Sequence, residues 1–512
     1  MTVIPQPDIP SRRVKLAANS RCNAGGSANG LDRWINRSGT LPRIFLTAVV
    51  SLASAATSLA QTGSPSIPNA PSQGQQSPFA GSVASAPVPG VLRISLQDAI
   101  DRGLKQNLGV LLSNADIRSS RGQRWEQLSA LLPHVTAGPS VNVSKINLDE
   151  LGFTTGPQGR NLPPAVGPFS YFDARLNVTQ SLFDWKSISS TRAAGQNLKS
   201  SEYTYKDARD LVVLAVGFSY LQAVADEARA ETAQAQVETA QAVYKQASDQ
   251  VNAGTSAAID GLRAKVEMQT RQQQLIQARN DLAIQKLTVA RVIGLASGQE
   301  FELIDKSLYQ PLEAMTVDEA LQRAYASRSD YQAAMAAVRA AEFSRKAAVA
   351  GYFPSLSFNA DYGTGGAHPS TATEVFDVRG MLSIPIFQGG SVHGEVLQAD
   401  AKLVESRERL ANLRGQIDSD VRTSLFNLQS SAQQVEVARS NIELAEATLV
   451  QSRDRFSAGV TDTVEVVQSQ QAVASAHEQY ISSLYSYNYA KISLARALGT
   501  AEAGVKEYFK GN

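Results

Sequence analysis

"LLPHVTAGPSVNV" at 131–143 and "GYFPSLSFNADYG" at 351–363 decide how this chain folds. In the first, Val135, Ala137, Pro139, Val141 and Val143 alternate with Thr136, Gly138, Ser140, Asn142 and Ser144. That period of two puts apolar groups on one face of a strand and polar groups on the other. The second stretch repeats the rule, with Leu356, Phe358, Ala360 and Tyr362 set against Ser355, Ser357, Asn359 and Asp361. A Gly/Pro-rich loop follows each, "DELGFTTGPQGRNLPPAVGPF" or "GTGGAHPSTATE", and then a further alternating segment. Phe172, Ala174, Leu176 and Val178 alternate with Asp173, Arg175, Asn177 and Thr179; Phe376, Val378, Leu382 and Ile384 alternate with Asp377, Arg379 and Ser383. All four segments have about the length of a tilted outer-membrane strand, roughly 9 to 11 residues. The two loops read as non-strand connections at an extracellular rim.

These stretches are copies of one plan. Pro133 and Pro354 stand 221 residues apart, as do Ala99 and Ala320, whereas Asp173/Asp377, Arg175/Arg379, Gly254/Gly459 and Gly294/Gly499 fall at 204 or 205. The deficit of about 16 residues is a length difference in one loop. A period near 200 is too long for a solenoid, so the chain is an internally duplicated domain. The predicted division is a first structural repeat over 92–300 and a second over 301–500, each a helix, two strands and a helical hairpin, with a C-terminal tail at 501–512.

The hairpins are visible as proline-free stretches. No proline lies between Pro168 and Pro311, or after Pro385. Helices over 185–250 and 392–456 would each span roughly 100 Å at 1.5 Å per residue. Leu211, Leu214, Phe218, Leu221, Ala225 and Ala228, and likewise Val421, Leu425, Leu428, Ala432 and Val435, follow a three-and-four spacing that predicts coiled-coil seams. Gly254 and Gly459 supply the left-handed caps where each long helix turns back.

Upstream, "IFLTAVVSLASAATSLA" at 44–60 follows Arg33, Arg37 and Arg43 and ends in small residues, the layout of a secretory signal cleaved after Ala60. Residues 1–60 are thus a signal peptide with an atypical N-terminal extension, and 61–91, rich in Pro, Ser, Gly and Gln, read as a disordered leader. The single cysteine, Cys22, precedes the cleavage point. A net charge of +1 gives no basic field for nucleic acid. A hydrophobic content of 43% excludes a bundle of transmembrane helices. Metal-ligand, P-loop and nucleophile–base spacings are absent and the four histidines are scattered, so the sequence predicts no enzyme and no cofactor.

The signal, the two strand pairs, the two long hairpins, "SLFDW" and "IPIFQGG" at the strand-to-helix junctions, and an acid six residues after each tip glycine together resemble the TolC family of outer-membrane efflux channels. The resemblance covers nearly all of 92–500. It implies an α+β membrane protein: a homotrimer in which four strands per protomer close a 12-stranded β-barrel on a long α-helical coiled-coil tunnel. It further implies a Gram-negative outer membrane, contact with outer-membrane lipid, and work beside a periplasmic adaptor (membrane fusion) protein and an inner-membrane pump of RND, ABC or MFS type. The function expected is that of an exit duct for efflux or type I secretion. By the same resemblance Asp260 and Glu465 sit at the periplasmic gate. Gln468 replaces a residue often acidic in the family, and Thr461 stands where the family has a basic partner. Gly254 and Gly459 would form the tips on which an adaptor docks. For Glu465 a capping box with Asp462, and for Asp260 stabilisation by the helix dipole, are competing readings. Asp173, Arg175, Asp377 and Arg379 are expected in the barrel lumen. The rival from another class is an exported coiled-coil structural or adhesion protein with soluble hairpins.

Overall fold

The computed structural model describes residues 79, 81–152, 155, 161–305, 310–313 and 315–509. The signal peptide and most of the leader lie outside them. The chain order is β1 (Leu92–Ile94), α1 (Leu96–Gln106), α2 (Leu108–Ser129), β2 (His134–Asn147), β3 (Ala165–Phe183), α3 (Trp185–Asn252) and α4 (Ala258–Ile293). The same succession then repeats as β4 (Phe301–Leu303), α5 (Val317–Ser327), α6 (Ser329–Val349), β5 (Ser355–Gly366), β6 (Thr373–Ser383), α7 (Ser391–Ser457) and α8 (Thr463–Ala497), followed by α9 (Ala501–Tyr508).

Local chemistry recurs at matched positions. Ser95 accepts from the backbone N–H of Asp98, whose carboxylate accepts from that of Ser95, and Thr316 and Glu319 do the same 221 residues later. These capping boxes start α1 and α5. Each short helix ends in an extended residue that begins the next, Asn107 or Arg328. Against these junctions pack the ends of the return helices: a Cβ on Gly294 would lie 3.0 Å from the Gln106 Cβ, and one on Gly499 2.6 Å from the Arg328 Cα and N. The two repeats also pair directly, β1 with β4 in parallel.

The largest apolar cluster joins α1, α3, α4 and α8 through Ile100, Val212, Val216, Ile293 and Ile492, all essentially solvent-free. Tyr220 closes it, its hydroxyl 3.0 Å from the Ile94 carbonyl and 2.8 Å from Asp305, which also accepts from the Leu96 N–H at 2.7 Å. The coiled-coil seams differ in detail from expectation. On α3 the buried line is Val212, Val213, Val216 and Tyr220, with Leu211, Leu214 and Phe218 only half-buried. On α7, Ser424 and Ser431 are buried where Leu425 and Ala432 were expected. Both helices are packed from several sides (α3 against α2, α4, α6 and α8), so no single two-helix seam selects the largest side chains.

Residues 79 and 81–91 correct the reading of a disordered leader up to 91. Asn107 Nδ2 donates to the Phe79 carbonyl at 2.8 Å, Val83 N–H to Gln106 at 2.9 Å and Ser85 N–H to Gly294 at 2.9 Å, so this polar segment is a strap laid across the first repeat. Its Pro/Ser/Gly/Gln-rich composition misled because backbone and serine hydrogen bonds, together with Phe79 packed against the main apolar cluster, seat it.

The four long strands form one antiparallel sheet in the order β2-β3-β5-β6. They run 14, 19, 12 and 11 residues, longer than expected for the first pair. Parts of both loops are strand: Ala165–Phe169 in β3, Gly363–Gly366 in β5, and Thr373 with Glu374 in β6. Pro168, which has no N–H to donate, falls where the register shifts between Ser144 and Ile146, an irregularity that tolerates proline.

Candidate functional site: hairpin tips and the charged sheet face

Sheet register sorts side chains into two faces. One row reads Val135, Val178, Ala360, Val378 and the next Ala137, Leu176, Tyr362, Phe376. This face is exposed: Val143 is 71% and Phe376 73% accessible. A contiguous apolar surface of this kind belongs against another apolar phase. On the opposite face the adjacent rows Thr136, Asn177, Asp361, Asp377 and Gly138, Arg175, Gly363, Val375 gather the charges. Arg175 pairs with Asp173 at 2.8 Å and with Asp361 at 3.0 Å, and Arg379 pairs with Asp377. Asp361 was visible in the alternation, but only the register joins it to Arg175, which stands opposite Gly363, where a Cβ would lie 2.7 Å from the Arg175 Cα. The edges of the described sheet, β2 and β6, have no strand outside them.

At the far ends of the hairpins the turns match closely. Gly254 and Gly459 take φ of +71° and +69°, and a Cβ added at either would meet nothing within 4 Å. Thr255 N–H bonds to Gln250 and Val460 N–H to Arg455, both at 2.9 Å, closing the last turn from a left-handed cap. Asp260 lies in the first turn of α4, accepting from Ser256 Oγ at 2.9 Å and facing Arg263 at 3.6 Å. Glu465 lies in the first turn of α8, where Asp462 caps the helix by accepting from Val464 N–H at 3.1 Å.

The capping box that was one of the two readings of Glu465 is not formed. Its carboxylate accepts from the Thr461 hydroxyl and pairs with Arg455 Nε at 3.4 Å, a cation outcompeting a backbone N–H. The cation beside Glu465 comes from α7. Arg455 stands four residues before Gly459, where the first repeat has Gln250, and that difference between the copies was the available signal. Gln468 lines a cavity of ≈370 Å³ with Leu262, Val266 and Val464, between α4 and α8. The acids Asp260 and Glu465 are each engaged within their own hairpin. Further from the tips, Arg271 is buried among α3, α4 and α8, a position no sequence pattern marked.

The family described as Outer membrane efflux protein matches residues 99–295 and 320–500, one stretch in each repeat. The chain belongs to that family. Outer membrane protein TolC of Escherichia coli (strain K12) is 24% identical over 420 residues, covering 76% of this chain and 80% of that one. The pyoverdine export outer membrane protein OpmQ of Pseudomonas putida is 23% identical, covering 90% and 98%. The solved structure of VceC from Vibrio cholerae superposes with a TM-score of 0.68 at 17% identity, covering 79% and 96%. This outer membrane efflux protein is accordingly a channel component of the outer membrane of Gram-negative bacteria, with the mostly helical fold and small sheet of its structural neighbours. Family membership decides against the adhesion-protein reading.

Proposed function

We propose that the chain is a passive exit duct whose sheet spans the outer membrane and whose helices line a tunnel across the periplasm. The observation that carries this is the sheet: one face apolar and exposed, the other charged, and both edges unpaired among the described residues. In lipid each unsatisfied backbone group costs several kcal/mol, so four strands must close against other copies. Three copies would give a 12-stranded barrel, with Asp173, Arg175, Asp361, Asp377 and Arg379 facing water inside. At 68 and 67 residues, α3 and α7 each reach roughly 100 Å from it. The relatives named for export support a periplasmic adaptor and an inner-membrane pump as partners, met at the tips around Gly254 and Gly459. Asp260 and Glu465, three copies of each, would line the periplasmic mouth.

Topology supplies the test. Single cysteines at Gly365, at the loop end of β5, and at Gly254, at a tip, are labelled on intact cells with a membrane-impermeant maleimide. The duct reading expects labelling at 365 alone, with purified protein migrating as three chains in native mass spectrometry. Equal labelling at both positions refutes it.

A further inference from the structure

Trp125 and Trp185, the two tryptophans after the expected cleavage at Ala60, both stand just beyond the end of the sheet where the helices begin. We propose that with Arg118, Arg121 and Arg192 they form a shelf on the outer wall of the first repeat, and that this shelf binds the phosphate headgroups of anionic phospholipid in the periplasmic leaflet. The inference goes beyond the duct reading and rests on it for the position of the membrane.

Trp185 opens α3 directly after β3, and Arg192 lies roughly 10 Å further from the sheet. Thr191 Oγ1 donates to the Gln127 carbonyl at 3.1 Å, which sets Trp125 on α2 level with Arg192. The Arg192 guanidinium lies 5.9 Å from the centre of the Trp185 ring, and Trp125 is 61% exposed. Arg118, Arg121 and Arg192 are exposed, and among the described residues none of them makes an ion pair. Large apolar side chains remain exposed down to the strand ends, at Leu132, Leu182 and Phe183. The hydrocarbon boundary therefore falls at the end of the sheet, and the headgroup layer, roughly 5 to 8 Å deep, falls on the shelf and within reach of its arginines. Tryptophan favours that layer.

Helix geometry gives the direction of the shelf. At about 100° per residue, the contacts of α3 with α2 (Thr191, Ser201) and with α6 (Ser200) leave arcs of about 140° and about 220° between them. Trp185 and Arg192 share the wider arc, which is the outer one in a closed ring of helices. On α2, Arg118, Arg121 and Trp125 fall within about 60° of one another, and because α2 runs antiparallel to α3 that arc also turns outward. Asp116 and Glu126 fall outside it. Glu202 shares the α3 arc but lies about 15 Å further from the sheet than Arg192. The second repeat does not carry the shelf: 221 residues on, Glu342 stands at Arg121 and Lys346 at Trp125. Glu342 is moreover bound by Arg407 at 3.0 Å. Both copies fold alike, so the fold does not dictate the free arginines of the first.

The two tryptophans are themselves the probe. Mature protein is reconstituted into phosphatidylcholine vesicles that contain graded amounts of brominated phosphatidylglycerol or of brominated phosphatidylcholine, whose bromines quench tryptophan fluorescence on contact. Each cation near an anionic leaflet strengthens attachment about fivefold, so half-quenching should need about tenfold less of the anionic lipid. The double variant Arg121→Gln/Arg192→Gln should lose that preference while phosphatidylcholine still quenches it, and Arg121→Lys/Arg192→Lys should keep most of it. Arg407→Gln/Arg422→Gln, an equal loss of charge at two ion-paired sites, should leave it unchanged. Equal quenching of the wild type by the two lipids, a preference that survives in the double glutamine variant, or one lost equally in the ion-paired control overturns the proposal and leaves the duct standing. A wild type quenched by neither lipid has no bilayer at its strand ends, and the duct reading falls with the shelf.

Discussion

Replacing Gly499 with alanine should destabilise the protein far more than replacing Gly459, although the two backbones are nearly the same. Their φ values are +72° and +69°, so both variants carry the left-handed penalty of about 1 kcal/mol. A methyl at Gly459 meets nothing within 4 Å. At Gly499 it would sit 2.6 Å from the Arg328 Cα and N and 2.8 Å from the Ser327 carbonyl carbon, where ordinary contact begins at 3.4 Å. All three atoms are backbone, so relief requires moving the α5–α6 junction itself. That junction is pinned, because the Arg328 guanidinium holds Asp330 at 2.7 Å and Asp420 at 3.1 Å. Overpacking of this kind adds about 1 to 3 kcal/mol, giving a total of about 2 to 4 kcal/mol for Gly499→Ala against about 1 kcal/mol for Gly459→Ala. Thermal unfolding of purified protein, followed by helical circular dichroism at a fixed scan rate, should place the Gly499→Ala midpoint several degrees below that of Gly459→Ala. Equal midpoints would show that the junction yields freely, and the packing argument for the duplicated contact would fail.

Asp210 tests a buried charge. It is 7% exposed, and burial pushes its carboxyl up from 3.8 to about 6, with Asp207 and Glu502 adding to the rise while Arg496 and the Glu502 backbone N–H oppose it. A carboxyl with a raised folded pKa binds protons more tightly in the native state, so its stability penalty is absent below the unfolded value and complete above about pH 6. Asp210→Asn should therefore raise the thermal midpoint near pH 8, by up to about 3 kcal/mol in stability, with the gain fading as pH falls through 6 toward 4. A gain independent of pH would mean that ionisation is not its cause. At the tips, if Asp260 and Glu465 ring a narrow mouth, their fields add and the wild-type pore selects cations; the double alanine variant should lose both selectivity and block by trivalent cations in bilayer recordings. Retention of both would make these acids local stabilisers of their helices.

The sequence made the architecture legible wherever periodicity was long and uninterrupted. The left-handed turns at Gly254 and Gly459 follow from local rules, and α3 and α7 begin and end within two residues of expectation. What it hid was set by pairing between distant segments. The extra strand length at Ala165–Phe169 comes from β2 lying alongside, which composition does not report. The strap is seated by backbone and serine hydrogen bonds and by the single ring of Phe79, which leave no periodic pattern to read. Arg455 and Arg271 were overlooked because an arginine on a long polar helix reads as solvent-exposed until a second helix is laid against it.

The strap and α9 have a further consequence for how the molecule is made. Ser85 bonds to Gly294, 209 positions ahead, Arg209 to Glu502 across 293, and Lys506 to Asp101 across 405. The principal apolar cluster likewise takes Ile492 and Val505 from the last residues and Ile94 from the start of the first repeat. Contacts so remote in sequence slow folding, since loop closure must precede any reward. The first repeat, emerging earlier, cannot complete its core until the second has arrived in full. Throughout that interval the apolar strand faces and unpaired edges are open to the wrong neighbours, the circumstance in which chains aggregate unless escorted. The duplicated protein therefore matures as one late event, its two ends cinching a core that neither half can close alone.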